Sequence, residues 1–152
     1  MTKFNFRLQA LLKVKSQIED NLKNDLGKAV HKLEEEKAKL RRLEFEKNRY
    51  ILEFNEKCRK STVDNLIKFN NYISLLASKI LNQKENINLA ARNVDKIREE
   101  LIKIVKERKI LDKLKEKKHE AFLKEQLKDE QRLNDEIVSF KQIGRHTGEE
   151  NG

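Results

Sequence analysis

Of the chain's 152 residues, 40% are charged and 37% hydrophobic, with a formal net charge of +9, no proline and four glycines. So few apolar residues cannot fill the core of a compact domain of this length, which argues against a globular enzyme. The scarcity of glycine and lack of proline argue equally against a disordered chain, and long helices remain. No stretch approaches the roughly 20 apolar residues of a membrane span, and no apolar block with a small-residue cleavage site opens the chain. The single cysteine, Cys58, has no partner for an intramolecular disulfide. Both observations fit a protein of a reducing, cytosolic compartment.

The chain opens on KFNFRLQALLKVKSQIED, Lys3 to Asp20. From there the spacing predicts a first helix over about residues 4–60. Its apolar stripe passes through Leu8, Leu11, Ile18, Leu22, Leu26, Val30, Leu33, Leu40, Ile51, Phe54 and Cys58, with lysine and glutamate between. Steps of three, four and seven mark a helix with one narrow seam. Two successive steps of four, Leu22 to Leu26 to Val30, read as a stutter beside the interior Gly27, where local unwinding is expected.

A turn is placed over about residues 61–71, with Ser61 as N-cap and Asp64 in the first turn. A short helical piece fits residues 62–69. Helix 2 then covers about 72–143, with Ile73, Leu76, Ile80, Gln83, Ile87, Ala90, Val94, Ile97, Leu101 and Ile104 at successive a and d positions, only Gln83 being polar. The same register meets Arg108, Leu111, Lys115 and Lys118, and Phe122, Leu127, Leu133, Ile137 and Phe140 are expected to resume the seam. Residues 144–152, with Gly144, Gly148 and Gly152, read as a disordered tail. Residues 1–143 therefore form one all-α unit, a long antiparallel two-helix coiled-coil hairpin whose second helix overhangs.

Chemistry is sparse in this pattern, and no catalytic, cofactor-binding or metal-binding residue is assigned. Phosphate-cradling loops need clustered glycines, and Gly27 stands alone. His31, His119 and His146 have no metal-ligand spacing, and carboxylate runs such as Glu34 to Glu36 read as solvated partners of lysine and arginine. The basic run from Lys103 to Lys118 is lysine-rich and broken by Glu107, Asp112 and Glu116, which speaks against specific nucleic-acid binding. Apolar residues outside the seams are more telling: Leu43 and Tyr50 on helix 1, Tyr72, Leu75 and Leu81 on helix 2, all near the turn.

The two ends carry a family resemblance. Phe4, Phe6, Arg7, Leu8, Gln9, Leu11 and Leu12 at the start, and Glu130, Gln131, Asp135, Glu136 and Phe140 near the end, resemble the opening and closing signatures of the FliJ family of flagellar export proteins. The resemblance implies a non-enzymatic coiled-coil stalk, similar to that of rotary ATPases, which couples a hexameric export ATPase to the membrane export gate and assists export chaperones. It implies an ATPase-facing set of Phe4, Phe6, Arg7, Leu8, Leu11, Leu12 and Phe140. It also implies a gate-facing set of Leu43, Tyr50, Tyr72 and Leu76, where Glu46, Lys79 and Gln83 replace more apolar family positions. The implied location is cytoplasmic, at the inner face of the membrane at the flagellar base, without membrane insertion. The alternatives are the stalk of a virulence-type secretion system and a generic structural or basic nucleic-acid-binding coiled coil.

Overall fold

The structure, a computed structural model, describes residues 2–150, with side chains described to residue 148. Two helices, α1 (Gln9–Lys57) and α2 (Val63–Glu150), are joined by a single 3-10 turn over Cys58–Lys60. No strand occurs among the described residues. The fold is the all-α antiparallel hairpin that the two stripes predict, but several boundaries fall elsewhere.

At the N-terminus the helix starts at Gln9, not near Phe4. Residues 2–6 form a non-helical lead, and a turn at Arg7 and Leu8 is closed by the Gln9 N–H donating to the Phe6 carbonyl at 3.0 Å. The first turn of α1 has no acidic residue, so extending it upstream would gain little from the helix dipole. Leaving the helix lets Phe6 reach the core, and burying one such side chain is worth roughly 1.5–3 kcal/mol.

At the reversal, Thr62 caps α2 in place of Ser61: its hydroxyl accepts the Asn65 N–H at 3.4 Å, and its carbonyl accepts the Leu66 N–H. Ser61 sits in extended backbone, with its hydroxyl donating back to the Lys57 carbonyl at 3.0 Å. The cap is immediately upstream of α2, so residues 62–69 merge with the long helix and form no separate piece. Cys58 is exposed in the 3-10 turn and does not belong to the seam.

At the far end α2 continues past residue 143 through Gly144 and Gly148 to Glu150; residues 151 and 152 lie outside the described part. A lone glycine costs a helix only about 1 kcal/mol, and no proline follows to stop it. The Thr147 hydroxyl lies 3.1 Å from the Ile143 carbonyl and 3.0 Å from that of Gly144, tying that last stretch to itself.

Residues 17–105 make one compact unit. Its helices run antiparallel: Gln83 meets Glu36 across a sequence separation of 47, and Tyr72 meets Glu46 across 26. The buried or half-buried face of α1 passes through Glu19, Leu22, Leu26, Ala29, Leu33, Glu36, Leu40, Leu43, Lys47, Tyr50 and Phe54. The steps alternate strictly between four and three, so the expected stutter is absent: Ala29 takes the seam position, and Val30 lies beside it. No unwinding occurs at Gly27, which is helical and faces open space. The seam of α2 from Ile73 to Ile104 follows the predicted positions, with Leu76 and Val94 its most buried members.

At Gln83 the seam is polar on both helices. The Gln83 side-chain amide donates to the Glu36 backbone carbonyl at 2.8 Å and to the Glu36 carboxylate, which also receives Lys32 at 3.1 Å and Lys39 at 3.6 Å. The Gln83 amide, then Lys32, hold the Glu36 carboxyl below its ordinary value of 4.5. Among the described residues no buried side-chain polar atom lacks a partner.

Of the described residues, 2–16 and 106–150 make the second compact unit. Phe6, Leu12 and Leu111 form its core, with Phe4, Leu8 and Leu114 packed against them. Lys15 pairs with Glu107 at 2.8 Å, and the Gln126 side chain donates to the Thr2 carbonyl at 3.2 Å. Counting back from Lys15 in steps of three and four reaches Leu12 and Leu8. Leu12 is accordingly 8% exposed, and Leu11, the predicted seam residue, 43%.

Phe122 and Gln126 are half-buried, and every described residue after Gln126 is exposed. Leu127, Leu133, Ile137 and Phe140 therefore do not resume the seam. The register of Leu111 and Lys115 continues onto Asp129, Arg132, Glu136 and Ser139, and the apolar residues stand on a different face.

Gly27→Ala is expected to stabilise the chain by about 0.5–1 kcal/mol, since the added methyl meets open space in a helical backbone; a fall in the thermal midpoint, followed by circular dichroism, would contradict this. Gln83→Leu is expected to lower that midpoint at neutral pH by depriving Glu36 of its donor. Because the folded Glu36 carboxyl titrates below its ordinary value, its stabilisation is complete above 4.5 and is lost as pH falls from there through the lowered value. Glu36→Gln should remove that part of the acid dependence.

Candidate functional site

The residues singled out at the N-terminus divide into two sorts. Phe6 and Leu12 are core, Phe4 and Leu8 are half-buried against it, and Arg7 and Leu11 are exposed. The Phe4 ring stands edge-on to His119 at 4.9 Å and tilted against Phe122 at 5.6 Å. These are ordinary aromatic geometries. Phe140, 79% exposed, joins none of them and projects from the uncovered part of α2.

The non-helical lead thus lies across α2 and builds a cleft of about 730 Å³ lined by Lys3, Phe4, Asn5, Phe6, Arg7, Leu8, Leu114, Lys118 and Phe122. Its walls are aromatic and aliphatic, and Lys3, Arg7 and Lys118 are exposed around it. The other flank of the Phe4 ring opens on a hollow of mixed charge, with Asp112, Lys115, Glu116 and His119.

A second cluster surrounds the reversal. Phe54 stacks on Phe69 with centroids 3.6 Å apart, Tyr50 stacks on Phe69 at 5.3 Å, and Tyr50 meets Tyr72 edge-on at 4.5 Å. Tyr72 donates its hydroxyl to the Glu46 carboxylate. That bond, then partial burial, raises the Tyr72 hydroxyl above its ordinary value of 10.0. Glu46 thereby ties the helices together through Tyr72.

Leu43 and Tyr50, expected outside the seam, are half-buried members of it, in step with Leu40 and Phe54; they and half-buried Tyr72 keep some exposed surface, whereas Leu76 is 1% exposed and supports them from beneath. Leu75 and Leu81 are exposed, as residues outside a seam should be. Sequence reading missed Phe45 and Leu52, among the most exposed apolar residues of α1. Their spacing of seven, two residues off each seam position, was the available signal: it puts both on the helix back.

Other features carry no chemistry. No group of three or more metal-ligating side chains occurs among the described residues, and none of their helices is long and apolar enough to cross a membrane. His31 pairs with Glu35 one turn on at 3.0 Å. Within the basic run Arg108 pairs with Asp112 at 2.6 Å, whereas Glu107 is engaged by Lys15 of α1.

Tyr50 and Tyr72 are the chain's two tyrosines, so an ultraviolet tyrosinate titration can be assigned cleanly. Tyr72 is expected to ionise above 10, and its share of stability, present below that value, fades as pH rises through the raised one. Glu46→Gln should bring the Tyr72 transition back toward 10 and Tyr72→Phe should delete it; an unchanged late transition in Tyr72→Phe would contradict the assignment.

Among curated proteins none matches the chain. Among solved structures, CT670 from Chlamydia trachomatis, described as a homologue of YscO, shares 25% identity at a TM-score of 0.70, over 91% of this chain and 94% of that one. The family described as the flagellar FliJ protein matches residues 4–147. That span takes in the non-helical lead, both helices and the turn between them, and the chain belongs to the flagellar FliJ protein family.

Proposed function

We propose that this chain is a non-enzymatic component of the flagellar type III export apparatus, a stalk that couples the hexameric export ATPase to the membrane export gate and assists export chaperones. The observation that carries the reading is the family match over residues 4–147 on an antiparallel hairpin. The hollows on either side of the Phe4 ring are open clefts, unlike the enclosed, desolvated pocket that general acid or base chemistry needs. What the hairpin offers is two faces for partners.

In this proposal Phe4, Arg7, Leu8, Leu11 and Phe140 face the ATPase, with Phe6 and Leu12 as their support. Leu43, Tyr50 and Tyr72 face the gate, over Leu76. The working location is the cytoplasmic face of the membrane at the flagellar base, with no insertion and no specific nucleic acid bound. A second reading, the stalk of a virulence-type secretion system, draws on the likeness to the YscO homologue.

ATP hydrolysis by the cognate export ATPase is expected to rise when this chain is added. The exposed variants Arg7→Ala, Leu11→Ala and Phe140→Ala should together remove most of that rise while leaving helix content unchanged, since none of them belongs to the core. Phe6→Ala is the wrong probe, because truncating a core phenylalanine costs about 3–5 kcal/mol and tests folding. Absence of stimulation by the unaltered chain would overturn the coupling role. Stimulation of a virulence-type ATPase alone would select the second reading.

A further inference from the structure

We propose that the cleft between the N-terminal lead and α2 is a receptor for an apolar side chain carried on an acidic segment of a partner protein. This rests on the reading that the N-terminal end faces a partner, and it reverses the direction of insertion: Phe4 and Phe6 are walls, not probes.

The cleft is bounded on one side by Phe4, Phe6 and Leu8 and on the other by Leu114 and Phe122, and at about 730 Å³ it exceeds what one aromatic or leucine side chain fills. Its floor is rigid, because Phe6 is buried against Leu12 and Leu111 and the lead is held by Gln126 on the Thr2 carbonyl. A preformed apolar slot of this kind favours an anchor residue, since little ordering is lost on binding.

Charge then selects the flanks of that anchor. Lys3, Arg7 and Lys118 surround the slot, and among the described residues none of them has an acidic partner. Lys113 and Lys117 on the same stretch of α2 are also exposed and add to the positive field. The hollow beyond Phe4 differs, since Asp112 and Glu116 stand there beside Lys115, so carboxylates are favoured on the slot side alone. An apolar residue flanked by Asp or Glu satisfies floor and rim together; a basic segment would meet three uncompensated cations.

The test uses the full chain and a fluorescently labelled synthetic peptide with leucine and phenylalanine one helical turn apart, flanked by glutamates. Anisotropy should show saturable binding at low salt that weakens as salt rises. Arg7→Glu combined with Lys118→Glu should weaken it about tenfold, with the thermal midpoint unchanged because both side chains are exposed. A peptide with lysines replacing the glutamates should bind about tenfold worse, and one with serines replacing the apolar pair should lose saturable binding.

Equal binding of the lysine peptide, or indifference to the double charge reversal, overturns the proposal. So does a dimer in sedimentation that the same reversal abolishes, since the occupant would then be the acidic stretch Asp129 to Phe140 of a second copy. Peptide binding without ATPase stimulation leaves the cleft assigned and removes the coupling role; stimulation without peptide binding does the opposite.

Discussion

Two helices in contact have no third wall, and that constraint governs everything else in this chain. Each layer of the seam consists of a few facing side chains, many of them only half-buried, so apolar burial alone discriminates poorly between registers a heptad apart. Polar pairs supply the discrimination. Gln83 reaches both the backbone and the carboxylate of Glu36, Tyr72 reaches Glu46, and Lys15 reaches Glu107. A slip by one heptad keeps apolar residues facing one another and leaves Glu36 its same-helix lysines, Lys32 and Lys39, but it strips the buried Gln83 amide of both its acceptors on Glu36, and a buried amide without a partner is disfavoured. A single polar layer used in this way is the best attested means of fixing coiled-coil register.

The same thinness decides where recognition can occur. Whatever the seam does not use is surface, so partner-binding residues must lie on flanks, at the reversal or at the ends. The aromatic stack of Tyr50, Phe54, Phe69 and Tyr72 widens the seam just where the chain reverses, giving a stiff face on an otherwise narrow scaffold. At the other extreme the lead folds back over α2, and Phe6 does for the chain's end what a further helical turn could not: it brings apolar area onto Leu111. Among the described residues nothing covers α2 past Gln126, where the lead's Thr2 is met. The apolar residues of that stretch are consequently available to partners and not to the chain's own first helix.

Much of this was legible in the residues. Periods of three and four, the missing prolines and the charge content dictate two long helices, and the stripe from Ile73 to Ile104 is dense enough in isoleucine, leucine and valine that its seam positions can be read directly. On α1 the seam admits Glu19, Ala29, Glu36 and Lys47, residues that a search for apolar stripes passes over. Hydrophobicity prefers Val30 to Ala29 and so predicts a stutter that the backbone does not have, whereas Leu11 and Leu12 are equal by that measure and only the facing Leu111 distinguishes them. A small or polar side chain enters a seam when the residue opposite supplies volume or a donor, and that residue lies far away in sequence.

The sequence by itself determined the class of fold, the presence of one reversal, the seam of the second helix from Ile73 to Ile104 and the family signatures at both ends, because all of these are local or periodic properties of one strand of residues. The tertiary structure alone decided that Phe4 and Phe6 leave the helix, that Thr62 takes the cap from Ser61, that Leu76 is too buried to meet a partner and that Phe140 stands apart from the residues with which it shares a signature. Each of these depends on what the facing helix presents at that height, and the pairing of two helices is a long-range fact that no window of sequence contains.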